Sequence, residues 1–188
     1  MAQTTSGYKE WEAVCGALAG GQQHVLLRKG GIHEGREGFS FKHDRFYLFP
    51  TRFHAQGEQV RQSYGNASGP GMDEWNPGDE ISINMWCEAV WASTLTDWKK
   101  VVALERFHIW TEDLVRERFD CGAVEQIHCA FVRVFTLREP LTLTYERKYG
   151  GCRTWVDLPF ALPEDLSPVV PDDAYMQVRS DVEQVLAL

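Results

Sequence analysis

The chain has 188 residues, 44% of them hydrophobic and 12% aromatic, which is enough to bury a substantial core. It carries 19 Lys or Arg against 27 Asp or Glu, a formal charge of −8, and this excludes a surface coated in phosphate-binding charge. No segment nears the roughly 18 consecutive apolar residues of a membrane span, and the start, MAQTTSGYKEW, shows no secretory signal, so a cytoplasmic location is expected.

In chain order, residues 10–29 divide at Gly20-Gly21. Trp11, Val14 and Leu18 of the first half fit a helical face, and His24 to Arg28 predict a short buried strand. FSFKHDRFYLFP (39–50) predicts a strand pair or a bent strand ending at Pro50, and Thr51 to Tyr64 a helix. YGNASGPGMDEWNPGD (64–79) has no periodicity and predicts a flexible loop. ISINMWCEAVW (81–91) alternates, with Ile81, Ile83, Met85, Cys87, Ala89 and Trp91 on one face of a strand. Thr96 predicts the cap of a helix over 97–106, and Thr111-Glu112-Asp113 the start of another. QIHCAFVRVFTL (126–137) reads as a central strand, followed by strands in LTLTYERK (141–148) and CRTWVDL (152–158). A last helix, at about 173–187, has Tyr175, Val178, Val182 and Val185 on its apolar face. This order predicts a single domain over 1–188, of α+β class, with a mixed or mainly antiparallel, barrel-like sheet and packed helices.

Chemistry is sparse. The five cysteines (15, 87, 121, 129 and 152) contain no C-x-x-C pair, so reduced thiols are expected, most of them buried. HVLLRKGGIHEG (24–35) places Arg28 and Lys29 before Gly30-Gly31. Two glycines after a strand can present backbone N–H groups to an anion. The Walker and dinucleotide patterns are absent, however. The strand also resembles the first hairpin of Nudix hydrolases, but no R-E-x-x-E-E helix follows. His33, His43, His54, His108 and His128 are too scattered for a ligand set, and His128 and Cys129 point to opposite faces of one strand, so no metal is expected. Glu146-x-Lys148, with Asp120 upstream, is the weak outline of a PD-(D/E)-x-K nuclease, whose acids would hold Mg²⁺. A surface charge pair explains the same residues. Cys152 would be a nucleophile only with a base and an oxyanion hole beside it, and a buried cysteine is the plainer reading.

From Arg28 to His54 the chain carries six Lys or Arg against three acids. Arg45, Arg52 and Arg61 intermix with Phe46, Tyr47 and Phe53, and Trp110 and Trp155 add further rings. Such mixtures bind phosphates and stack bases, though aromatics at these spacings also build cores.

EW-x-A-V near the start, LLRKGGI, F-x-L-F-P-T-x-F-H, HIWT, RVFTL and YGGCRTW resemble, in this order, the bacterial domain-of-unknown-function family numbered 1802. The resemblance covers roughly residues 8 to 186. It implies no named reaction, but it marks Arg28, Lys29, Gly30, Gly31, Pro50, Thr51, His54, His108, Trp110, Thr111, Tyr149, Cys152 and Trp155 as motif positions. NPGDEISINMWCEAV (76–90) is similar at the fold level to the entry of PUA-like barrels, including the ASCH and EVE groups that bind RNA or modified bases.

The expected function is therefore binding of a nucleic acid or nucleotide-like anion, without a cofactor. Arg28, Lys29 and Arg52 would contact phosphate, with Gly30-Gly31 beside them. Thr51, His54 and His108 would hydrogen-bond the ligand, near Trp110, Tyr149 and Trp155. The alternatives are a Mg²⁺-dependent nuclease using Asp120, Glu146 and Lys148, and a protein-interaction module with no small ligand.

Overall fold

The computed structural model describes residues 5–29, 41–52, 56–61 and 74–187. Gly30, Gly31 and His54 lie outside these residues, as does most of the loop expected at 64–79. The strands are β1 (Thr5–Trp11), β2 (Val25–Arg28), β3 (Arg45–Thr51), β4 (Glu80–Leu95), β5 (Ile127–Thr144), β6 (Trp155–Leu158) and β7 (Leu166–Pro168). The helices are α1 (Glu12–Ala19), α2 (Trp98–Ala103), α3 (Glu112–Asp120) and α4 (Asp172–Leu186). None of the described helices is long and apolar enough to cross a membrane.

The fold is α+β, with one sheet in the order β2-β5-β4-β3-β1-β6 and β7 paired to β5. β1 runs parallel to β3, and the other pairs are antiparallel. The barrel expected from the sequence does not form. Closure needs a backbone ladder joining β2 to the β1–β6 end, and none exists among the described residues. β2 is only four residues long, and it meets β1 through a side chain: Arg28 Nη2 donates to the Lys9 carbonyl at 3.0 Å.

The long β4–β5 pair carries two register shifts. Between the pairs Ile83–Leu141 and Met85–Thr136, residues 137–140 of β5 stand opposite Asn84 alone. Pro140 cannot donate to a ladder, and a bulge accommodates it. The two strands expected over 126–137 and 141–148 are thus one interrupted strand ending at Thr144. The same shift corrects the alternation expected for β4. Ile81 and Ile83 pack with Tyr47, Phe49 and Trp86, whereas Met85 and Cys87 join the cluster on the other side with Phe46, Leu48 and Phe131.

Buried residues of α1, α3 and α4 pack into that second cluster, as does Val101 of α2. Asp97, not Thr96, caps α2, its Oδ1 accepting from the Lys99 N–H at 2.9 Å. Thr111 caps α3 as expected, accepting from the Leu114 N–H at 3.4 Å. Thr51 ends β3 instead of opening a helix, and a short 3-10 turn occupies Gln56–Gln59.

Candidate functional site

Where the sheet stays open, a cleft of about 640 Å³ separates the β2 end from β1, β3 and the segment after β5. Lys9 and Trp11 of β1, Arg28 and Lys29 at the end of β2, Thr51 and Arg52, Trp75, Arg118 of α3, and the stretch from Tyr149 to Thr154 line it. Six of these residues are cationic, and Glu74 is the one carboxylate among the lining residues.

Lys9 sits mid-strand, with its Cα beside Phe49 of β3 and its backbone N–H donating to the Thr154 carbonyl at 2.8 Å. Its side chain reaches the cleft, and its ammonium donates to the Gly151 carbonyl at 2.8 Å. The residue is only 8% exposed. Burial, with Arg28 and Arg153 adding repulsion, lowers its pKa to about 8, against an opposing pull from Cys152. The carbonyl it holds depends on two glycines. Gly151 adopts the left-handed region at φ +74°, and a Cβ on Gly150 would lie 2.9 Å from the Tyr145 hydroxyl.

Arg118 belongs to the buried face of α3, beside Leu114, Val115 and Phe119. It too is 8% exposed. Its guanidinium lies 4.9 Å from the ring centres of both Trp11 and Trp110, and Nη1 donates to the Leu27 carbonyl at 3.2 Å. Burial lowers its pKa to about 10, with Glu10 opposing and Arg28 adding to the shift. It therefore remains charged at neutral pH. Arg28 lies 5.3 Å from the Tyr8 ring centre. At the exposed rim, Lys29 donates to Cys121 Sγ at 3.1 Å and Arg153 to the Lys148 carbonyl at 3.1 Å.

Arg52 plays a different part from the phosphate contact expected of it. It holds Glu12 through two bonds of 2.8 and 3.0 Å and stacks 3.7 Å from the Trp75 ring centre. Trp75 Nε1 in turn donates to the Pro50 carbonyl at 2.9 Å. The carboxylate neutralises the arginine, and the pair fixes an aromatic plane in the cleft. The Thr51 hydroxyl donates to the Glu10 carbonyl at 3.0 Å.

Of the residues expected to form a site, Arg28, Lys29, Thr51, Arg52 and Tyr149 converge here. Three others lie away from the lining. Trp110 is fully buried behind Arg118. His108 is buried, its carbonyl accepting from Arg61, and its pKa is pushed down to about 3 by burial and then by Arg61 and Arg118. Trp155 packs against Tyr8 and Phe46, with ring centres 5.0 and 5.2 Å apart. Arg45 pairs with Glu88 at 3.2 Å and Arg61 with Glu105 at 3.1 Å, both elsewhere.

Cys152 is exposed at the cleft instead of buried, and all five thiols are free. Glu146 and Lys148 lie in the turn after β5, paired at 2.6 Å on the surface, and Asp120 is held by Arg116 at 2.7 Å. Among the described residues no group of three His, Cys, Asp or Glu could hold a metal ion. The nuclease alternative has no acid cluster to build on.

Lys9, Trp11, Trp75, Arg118 and Arg153 were not singled out from the sequence as site residues. Arg118 had one legible signal: it stands four residues after Leu114, on the helix face that packs inward.

The model of the family described as Domain of unknown function (DUF1802) matches residues 7–181. The chain belongs to that family. The DUF1802 match spans β1 through most of α4 and so contains every lining residue of the cleft. Solved structures similar to the chain include the ASCH protein of Zymomonas mobilis, at 12% identity and a TM-score of 0.44, covering 93% of each chain. A single-site variant of that protein matches at 11% identity and a TM-score of 0.43, covering 93% of this chain and 94% of its own. No curated protein matches the chain.

Proposed function

We propose that the cleft binds the phosphate of a nucleic acid or nucleotide, with the aromatic lining taking up the base. One observation carries this reading. In a chain of net charge −8, Lys9, Arg28, Lys29, Arg118 and Arg153 share one cavity, and none is in an ion pair with a carboxylate among the described residues. Cations held this way repel one another and lose hydration, so an entering anion relieves both costs. Trp75, held by Arg52, and Tyr149 supply ring faces of the kind on which bases stack.

The test is equilibrium binding of short single-stranded RNA and DNA at increasing salt. Three phosphate contacts predict a slope of log affinity on log salt of about −2. Lys29→Ala with Arg153→Ala, both at the exposed rim, should reduce that slope by roughly 1 without unfolding the chain. Undetectable binding of oligonucleotides and nucleotides at low salt refutes the reading.

A further inference from the structure

We propose that the cleft is a socket for a terminal phosphomonoester, on a nucleoside monophosphate or at the end of a single strand, and not for the internal phosphodiesters of a chain. This rests on the reading of the cleft as a phosphate site and specifies which phosphate it takes.

Depth is the first argument. Lys9 and Arg118 line the cavity yet are each only 8% exposed. An internal phosphodiester has chain on both sides and must run along a groove, where it meets cations near the surface. A terminal phosphate enters end-on and reaches cations at the bottom.

Charge and donor count give the second. A phosphomonoester carries nearly two negative charges at neutral pH and presents three terminal oxygens. A phosphodiester carries one charge and presents two such oxygens. Lys9 gives one of its three N–H groups to Gly151, and Arg118 gives one of its five to Leu27. The repulsion between Arg28 and each of Lys9 and Arg118 shows that the three cations act on one small volume. A dianion matches that concentration of charge better than a monoanion does.

The third argument is the position of the carbon-rich surfaces. Trp75, fixed over Arg52, and Tyr149 line the same cavity as the buried cations. A nucleotide spans from such a ring to the phosphate within a cavity of about 640 Å³. The ligand class is thus a phosphate ester with a flat aromatic base.

The experiment compares one oligonucleotide sequence carrying a 5′-phosphate, a 3′-phosphate or hydroxyls at both ends. A nucleoside 5′-monophosphate, its nucleoside and inorganic phosphate form a second set. A phosphorylated end should bind about tenfold tighter or more than its hydroxyl counterpart, and Lys9→Met should remove most of the difference. If the nucleoside monophosphate binds as well as the phosphorylated strand, the small molecule suffices; tighter binding of the strand assigns the socket to strand ends. Equal, salt-sensitive binding with and without the terminal phosphate overturns this proposal and leaves the broader phosphate reading standing. No binding in either set overturns both. The wild-type comparison decides the matter even if Lys9→Met fails to fold.

Discussion

His108 lies 5.4 Å from the Trp110 ring centre, buried, with the positive charges of Arg61 and Arg118 facing it. Its sequence setting, HIWT, marks it for a functional role, but burial makes it a neutral core residue. Its folded pKa of about 3 lies below the unfolded value of 6.5, so the unfolded chain binds the extra proton first as pH falls. The stability tied to this ring is fully present above pH 6.5 and is lost progressively toward pH 3. Denaturant midpoints measured across that window should fall less steeply in His108→Gln than in the wild type, and equal slopes would contradict the assignment. The same scale shows what the sequence hid. Arg28 and Thr51 were legible because they stand in motif segments beside strand ends. Lys9 and Arg118 were not, because a cation among apolar neighbours resembles a solvated surface charge until the fold places it against another strand.

At the scale of elements, short apolar runs and caps were read with most success: the β2 run and the Thr111 cap stand where the sequence put them. The failures have a common cause in backbone irregularity. The Pro140 bulge merges two expected strands and exchanges the faces of β4, and a period-two pattern cannot register an inserted residue. The turn of Gly150 and Gly151 is a second irregularity, and it positions Lys9. An added Cβ at Gly151 meets no atom within 4 Å, so Gly151→Ala costs only the left-handed backbone, about 1–2 kcal/mol in chemical denaturation. It should also weaken anion binding by shifting the carbonyl that holds the ammonium. Unchanged stability and unchanged affinity together would show that the turn does not govern the site.

For the molecule as a whole, the α+β class and the predominance of antiparallel pairing were legible from the order of strands and helices. The open sheet was not, because closure depends on the pairing of edge strands that lie far apart in sequence, and β2 is too short to supply it. That failure of closure leaves the space into which cations from β1, β2 and α3 converge. Net charge was equally poor guidance, since −8 over the chain coexists with a positive cleft. The most direct test of this arrangement is an NMR titration of the Lys9 ammonium with and without a nucleoside monophosphate. Alone, Lys9 should titrate near pH 8, below the ordinary value of 10.5, because burial and its cationic neighbours Arg28 and Arg153 outweigh the pull of Cys152. A phosphate bound in the cleft supplies the missing negative charge, so the titration should move upward on binding. A Lys9 that titrates near 10.5 in the free protein, or whose midpoint does not move when the nucleotide binds, would contradict the account.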